Sequence, residues 1–218
     1  DKVLYHNCVE APRCDNLYSG KVKLKNLEEL IIYSYKVAGT VGLMVCNILE
    51  VKNKKLKFKG IQLGIAMQIT NIIRDIDEDL KNNRIYFPLD FLTIKNDKPK
   101  QILNDKELQK QFSKDIEKLK DFSDLVYTNS RIGIYKLPIH YRLPIALASR
   151  LYQSIGVKIR NHKYDIWNKR HYLSFKEKII KFIIVLFEIF FMRNIVENKK
   201  MEKEINKILL KLSDSYCD

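Results

Sequence analysis

The chain has 218 residues, 46% hydrophobic and 11% aromatic, enough to bury about 70% of its unfolded surface in one core; this excludes a disordered or fibrous chain. Seven Gly and five Pro are too few for the turns of a many-stranded sandwich, while abundant Leu, Ile, Lys and Glu suit long helices, so the expected fold class is all-α. With 40 Lys and Arg against 26 Asp and Glu, the net charge is +14, and the natural partner is polyanionic: nucleic acid, an anionic membrane or a phosphorylated ligand.

Cys8, Cys14, Cys46 and Cys217 lie far apart without a CxxC pair, which implies a reduced, cytoplasmic chain. The longest uncharged stretches, Val37–Leu49 and Gly60–Ile73, fall short of the roughly 18 to 20 residues of a bilayer span. The chain starts at Asp1 with no signal peptide, and the expectation is a single helical domain over 1–218, truncated on its N-terminal side.

In chain order, Asn26 with Glu29 gives a capping-box start to a first helix over Leu27–Leu49. Gly39 and Gly42 inside it predict a kink or a close approach to the backbone. A basic loop, Val51–Lys59, follows, and a second helix is expected over Gly60–Leu80, stopping at Asn82-Asn83 before Pro88. The polar stretch Asn96–Lys100 reads as a surface loop and Lys106–Tyr127 as an amphipathic helix. Further helices are expected over Ile139–Arg160, Ser174–Met192 and Lys199–Leu212.

The second helix carries the chemistry. At about 100° per residue, Gln68, Asn71, Asp75 and Asp79 fall on one narrow arc, beside an apolar arc of Ile65, Ile69, Ile72, Ile73, Ile76 and Leu80. Two carboxylates at i and i+4 stand about 5–6 Å apart and repel unless a positive charge lies between them. A hard divalent cation fits those oxygens, and Mg²⁺ completes its shell with water and phosphate, so a diphosphate ligand is attractive. Arg74, Lys81 and Arg84 are placed to add charge-assisted bonds. The plain alternative is a solvated acidic helix end, since Asp75, Asp77, Glu78 and Asp79 cluster there.

The run from Gly64 to Asp79 followed by Arg84-Ile85-Tyr86-Phe87-Pro88 closely resembles the second aspartate-rich signature of squalene and phytoene synthases. Upstream, Tyr33 to Met44 resembles the family's Tyr-containing helix, broken beside the prenyl tunnel; Ala148–Tyr152 and Asp165–Lys178 are similar to its later helix pair and basic segment. The resemblance covers about Leu27 to Lys178. It implies an isoprenoid-synthase-type bundle around a central prenyl-binding cavity, and head-to-head joining of two prenyl diphosphates.

Carried over, Asp75 and Asp79 would bind Mg²⁺, with Mn²⁺ as its substitute, while Gln68, Asn71 and Arg74 would line the same face and Arg84 and Tyr86 would close over the diphosphate. Tyr33 would face the reacting carbons, Val37, Ala38 and Gly42 would give the tail a smooth wall, and Tyr152 would assist from a later helix. Local wording resembles bacterial phytoene synthases, which implies geranylgeranyl diphosphate as substrate and no NADPH; farnesyl diphosphate with a C30 product is the runner-up.

Upstream of the stripe, where the family carries its other aspartate motif, no Asp-x-x-x-Asp occurs, and Asp121 with Asp124 have the wrong spacing. Half a metal site, inactive alone, is the expectation; a non-catalytic scaffold is the rival reading. Basic residues are scattered without a nucleic-acid-binding signature, so nucleic acid is not expected as a partner. Ile179–Met192 reads as a buried helix, with a peripheral position on an anionic membrane as the alternative. His6, His140, His162, His171 and Trp167 read as structural or surface residues.

Overall fold

The computed structural model describes residues 23–93, 99–191 and 199–214; Cys8, Cys14, Cys217, His6 and most of the Asn96–Lys100 loop lie outside them. The described residues are all-α, with one isolated bridge between Lys23 and Ile85. The elements are α1 (Leu27–Ser34), a π turn (Tyr35–Gly39), α2 (Thr40–Ile48), α3 (Lys54–Lys81), α4 (Lys106–Ile134), α5 (Ile139–Asn161), α6 (Phe175–Phe191) and α7 (Lys199–Asp214), with short 3₁₀ turns at Leu89–Phe91 and Pro99–Asn104.

Asn26 caps α1 by accepting from the Glu29 amide at 2.8 Å, and the Glu29 carboxylate accepts from the Lys25 amide at 2.7 Å, one residue earlier than a standard box. The expected single first helix is continuous but not uniform. Its Tyr35–Gly39 segment widens into a π turn in which the Thr40 amide donates to the Tyr35 carbonyl. Taken across that turn, Leu27–Ile48 is long and apolar enough to cross a membrane by length and composition. Its glycines are nevertheless seated against α3.

The expected basic loop Val51–Lys59 is mostly helix. Asn53 accepts from the amides of Lys55 and Leu56, so α3 starts at Lys54 and runs about 42 Å to Lys81. Asn83, at φ 60°, then turns the chain back, and the Arg84 amide donates to the Asp79 carbonyl at 2.8 Å. The α4 helix continues past Tyr127 to Ile134 because its apolar face is still covered there. All six members of the apolar arc on α3 are buried.

Glycine sets the distance between the first helices. A Cβ on Gly42 would lie 2.1 Å from the Gly60 carbonyl oxygen, and one on Gly64 would lie 2.2 Å from the Ala38 carbonyl oxygen. Of the two glycines in the first helix, Gly42 thus marks a close backbone approach, while Gly39 packs against the Tyr35, Ile61 and Ile65 side chains. On the other side of α3, Tyr127 bonds Thr70 at 3.0 Å and Ser123 donates to the Ala66 carbonyl at 3.3 Å.

Helix α6 corrects the expectation of burial. Val185, Glu188 and Ile189 are buried, and Arg150 of α5 clasps Glu188. Phe175, Ile180, Ile183, Phe187 and Phe190 are exposed, Phe175 by 77%. Among the described residues, the segment is buried on one side only, where α5 packs against it.

Gly64→Ala should destabilise the fold by about 1–3 kcal/mol, since the new methyl meets main-chain atoms that cannot swing away. A thermal melt followed by circular dichroism is expected to show a midpoint several degrees lower, and an unchanged melt would contradict the packing described.

Candidate diphosphate and tail site

Helix α3 presents its polar stripe to a cleft of about 210 Å³ lined by Gln68, Asn71, Asp75, Glu78 and Asp79, with Tyr33, Arg84, Tyr86 and Arg170 closing it from other segments. The Tyr33 and Tyr86 rings stack at 4.8 Å between centroids. This stack is possible because Leu24 and Ile85 are hydrogen-bonded main chain to main chain, which holds the segment before α1 beside the one after α3.

Both stripe carboxylates are engaged by arginine. Arg74 donates to Asp75 through Nε at 2.8 Å and Nη2 at 2.6 Å, and Arg170 reaches the same carboxylate at 3.1 and 3.2 Å. Arg84 Nε donates to Asp79 at 3.1 Å. Burial pushes the Asp79 carboxyl up to about 6; Arg84 opposes the rise, and Asp75 and Glu78 add to it. Across the stripe, Asp75, Glu78 and Asp79 thus face Arg74, Arg84 and Arg170. Asp77 points away, as expected, and binds Lys81 at 2.6 Å.

Beside the cleft lies an apolar cavity of about 410 Å³ between α2, α3, α4 and α5. Gln68 and Asn71 line both spaces. Asn71 Nδ2 donates to Gln68 Oε1 at 3.5 Å, while Asn71 Oδ1 is buried without a partner. An orphaned oxygen beside two carboxylates is a fit for a hydrated cation or a ligand donor. Among the described residues, no three of His, Cys, Asp and Glu converge as a closed metal cage.

Of the residues singled out in the sequence, Asp75, Asp79, Gln68, Asn71, Tyr33, Arg84 and Tyr86 share the cleft, and Ala38, Gly42 and Tyr152 line the cavity. Two fall elsewhere. Val37 is outside both spaces, because the π turn shifts the face that follows it, so that Ala38 and Val41 point inward. Arg74 lines a neighbouring groove with Asp77, Lys81 and Asn168 and reaches Asp75 from the side. Asp121 and Asp124 are bound to Arg160, Lys120 and Gln153, away from the stripe.

Sequence reasoning missed Arg170, which only the basic segment Asp165–Lys178 hinted at, and most of the cavity wall, including Val41, Val45, Leu63, Met67 and Ile145. It also missed Lys59, a buried lysine on that wall.

The described residues thus set an aspartate-rich polar stripe beside an apolar cavity in an all-α bundle. The squalene/phytoene synthase family profile matches residues 13–177, and the chain belongs to that family. It is 31% identical over 153 residues to the phytoene synthase of Rhodobacter capsulatus, covering 70% of this chain and 45% of that protein. It is 33% identical over 174 residues to the phytoene synthase of Arthrospira platensis, covering 72% of this chain and 55% of the relative. The chain spans about half the length of these relatives.

Among solved structures, a dehydrosqualene synthase in complex with ligand superposes with a TM-score of 0.74 at 25% identity, covering 85% of this chain and 64% of that one. A squalene synthase from Alicyclobacillus acidocaldarius, at 20% identity and a TM-score of 0.62, covers 75% of this chain and 61% of its own and shares the fold. The all-α, isoprenoid-synthase-type bundle expected from sequence is the one found.

In metal-free solution, the Asp79 carboxyl should titrate near 6 by NMR, and Arg84→Ala should move that midpoint upward by removing the charge that opposes the rise. The folded carboxyl keeps its proton above the ordinary carboxylate range. Its contribution to stability therefore falls as pH rises from about 4 to about 6 and is level beyond. A midpoint that is lower in the variant would contradict the Arg84–Asp79 pairing.

Proposed function

We propose that the protein joins two geranylgeranyl diphosphates head to head, through a cyclopropylcarbinyl diphosphate, to give phytoene and release diphosphate. The observation that carries this reading is the sharing of Gln68 and Asn71 between the polar cleft and the apolar cavity. One ligand can set an anionic head on the stripe and an apolar tail in the cavity. The phytoene synthases similar to this chain support the C20 substrate; the likeness to a dehydrosqualene synthase keeps the C30 reading as the second choice.

Asp75 and Asp79 would hold Mg²⁺, or Mn²⁺, which when bound neutralises charge on the departing diphosphate. The remaining work belongs to side chains. Arg84 and Arg170 are already in the cleft and can transfer their bonds from carboxylate to phosphate oxygens, and Arg74 holds Asp75 in place during the exchange. The Tyr33 ring, backed by Tyr86, offers an aromatic face to allylic cation character at the cleft. The aliphatic cavity wall keeps water from that cation. No step in this scheme calls for NADPH or for nucleic acid.

The product of the complete reading frame, incubated with Mg²⁺ and both C15 and C20 prenyl diphosphates, is expected to give a C40 hydrocarbon by mass spectrometry. Asp75→Ala or Asp79→Ala should lower its yield by about 10²-fold or more. A C30 hydrocarbon instead would transfer the assignment to farnesyl diphosphate. No hydrocarbon from folded protein would favour a non-catalytic scaffold.

We also propose a peripheral position on anionic membrane at the cytoplasmic face. Supporting it are the exposed apolar side of α6, the exposed Lys176 and Lys178 at its start, and the net charge of +14. Flotation should recover the protein with vesicles containing anionic lipid but not with purely zwitterionic ones, and Phe187→Ser with Phe190→Ser should reduce recovery severalfold. Equal recovery on both vesicle types would overturn the electrostatic part, and none on either would overturn the whole.

A further inference from the structure

The segment from His162 to Ser174 joins α5 to α6 and carries Arg170 to the stripe. Its root is packed: Tyr164, Ile166, His171 and Leu173 are buried, the Trp167 ring lies 6.2 Å from that of Phe112, and the His171 ring bonds the Asp165 carbonyl at 2.8 Å. Its tip is polar. Asn168, Lys169 and Arg170 are exposed, and Asn168 turns the chain with a φ of 55°, in the left-handed region that asparagine tolerates better than most residues.

Two ties hold this tip to α3. Arg170 reaches Asp75 at 3.1 and 3.2 Å and approaches Glu78 at 3.9 Å, and all three residues line the cleft. The second tie is to Asp77, which lies about 160° round the helix from Asp75 and takes no place in the cleft. Its Oδ2 accepts from the Lys81 ammonium at 2.6 Å and from the Asn168 main-chain amide at 3.2 Å, while Lys81 also donates to Asn168 Oδ1 at 3.0 Å. The three groups close a triangle in the groove that Arg170 also lines.

The ties differ in what becomes of them when an anion binds. Once Arg170 gives its bonds to phosphate oxygens, Asp75 no longer holds the tip, whereas the triangle is untouched by the exchange. The amide bond fixes main chain, and Asn168 is only two residues from Arg170, a span of at most about 7 Å. A long arginine on an untethered tip surrenders side-chain and backbone freedom each time it binds; on a tethered tip the backbone part is already surrendered. Nor does the helix account for Asp77, since a carboxylate close to the C-terminal end of α3 gains nothing from the helix dipole.

We propose that Asp77, through Lys81 and Asn168, positions Arg170 for the diphosphate. It is a positioning residue, touching neither the ligand nor the reacting carbons. The proposal rests on the reading of the cleft as the diphosphate site.

Titration calorimetry of the 218-residue chain with inorganic diphosphate in Mg²⁺ tests it. Arg170→Ala should weaken binding by about tenfold, as expected for loss of a charge-assisted bond. Asp77→Ala should weaken it by about threefold to tenfold with a melt close to that of the parent, and Asp77→Asn, which keeps an acceptor for the Asn168 amide, should recover part of the loss. In the Arg170→Ala background Asp77→Ala should have no further effect, a coupling that a merely structural role would not produce. Asn168→Gly, which keeps the left-handed turn and loses only the side-chain bond to Lys81, should show a smaller loss with the same dependence on Arg170 and leaves α3 unaltered. If folded Asp77→Ala, or Asn168→Gly in its stead, binds with the parent Kd, or weakens binding as much when residue 170 is already alanine, the proposal is overturned while the cleft reading stands. If the parent chain binds no diphosphate, or Arg170→Ala binds as the parent does, the reading of the cleft and its arginine fails and the proposal with it.

Discussion

Close contact between the first helix pair and α3 is the constraint on which the site depends. Gly42 on Gly60 and Gly64 on Ala38 bring main chain to main chain, closer than any pair of side chains would permit. That contact positions the Tyr33 end of the first helix over the stripe and the Gly42 end over the cavity. With alanine or larger residues at these places the helices would separate, and the polar cleft and apolar cavity would no longer share Gln68 and Asn71. The π turn is part of the same arrangement. It puts an extra residue into the helix where it passes Gly64, so that Ala38 rather than Val37 faces inward.

Electrostatics at the stripe follow from how that contact buries α3. Asp75 and Asp79 are each about four-fifths or more shielded from solvent; Asp75 is held by its neighbour Arg74 and by the distant Arg170, and Asp79 by Arg84 beyond the end of the helix. Surface ion pairs of this kind contribute little to stability by themselves. Their use is positional: the arginines hold cationic groups within bonding distance of the place where an anion would sit. The Asp79 carboxyl is raised because burial strips it of water, and the Arg84 guanidinium holds that rise in check.

Much of the fold was legible because helical periodicity is a local property. The stripe on α3 and its apolar neighbours could be laid out from residue spacing, and the buried arc agrees with that layout at every position. Helix ends were less legible. Lys54 to Lys59 read as a basic loop, because a run of lysines carries no apolar pattern, yet Asn53 supplies a cap that starts the helix there. The α6 helix misled in the opposite way: its Ile and Phe content signals burial, and composition cannot show that, among the described residues, one side of it stays exposed.

The part of the site that sequence could not reveal is made of pairs distant in the chain. Gly133 is unremarkable within α4 until Lys59 is found resting on it, and Gly156 is equally so until the buried Lys120 stem is found 2.2 Å from its would-be Cβ. In both cases a glycine on one helix makes room for a lysine on another, and the lysine can then lie inside the bundle, where its type alone would place it in solvent. Lys120 ends on Asp124 within a network that includes Gln153, Arg131 and Arg160, so it ties α4 to α5. The Lys59 side chain lines the apolar cavity. The same packing solution therefore serves cohesion between helices at one place and the wall of a cavity at the other.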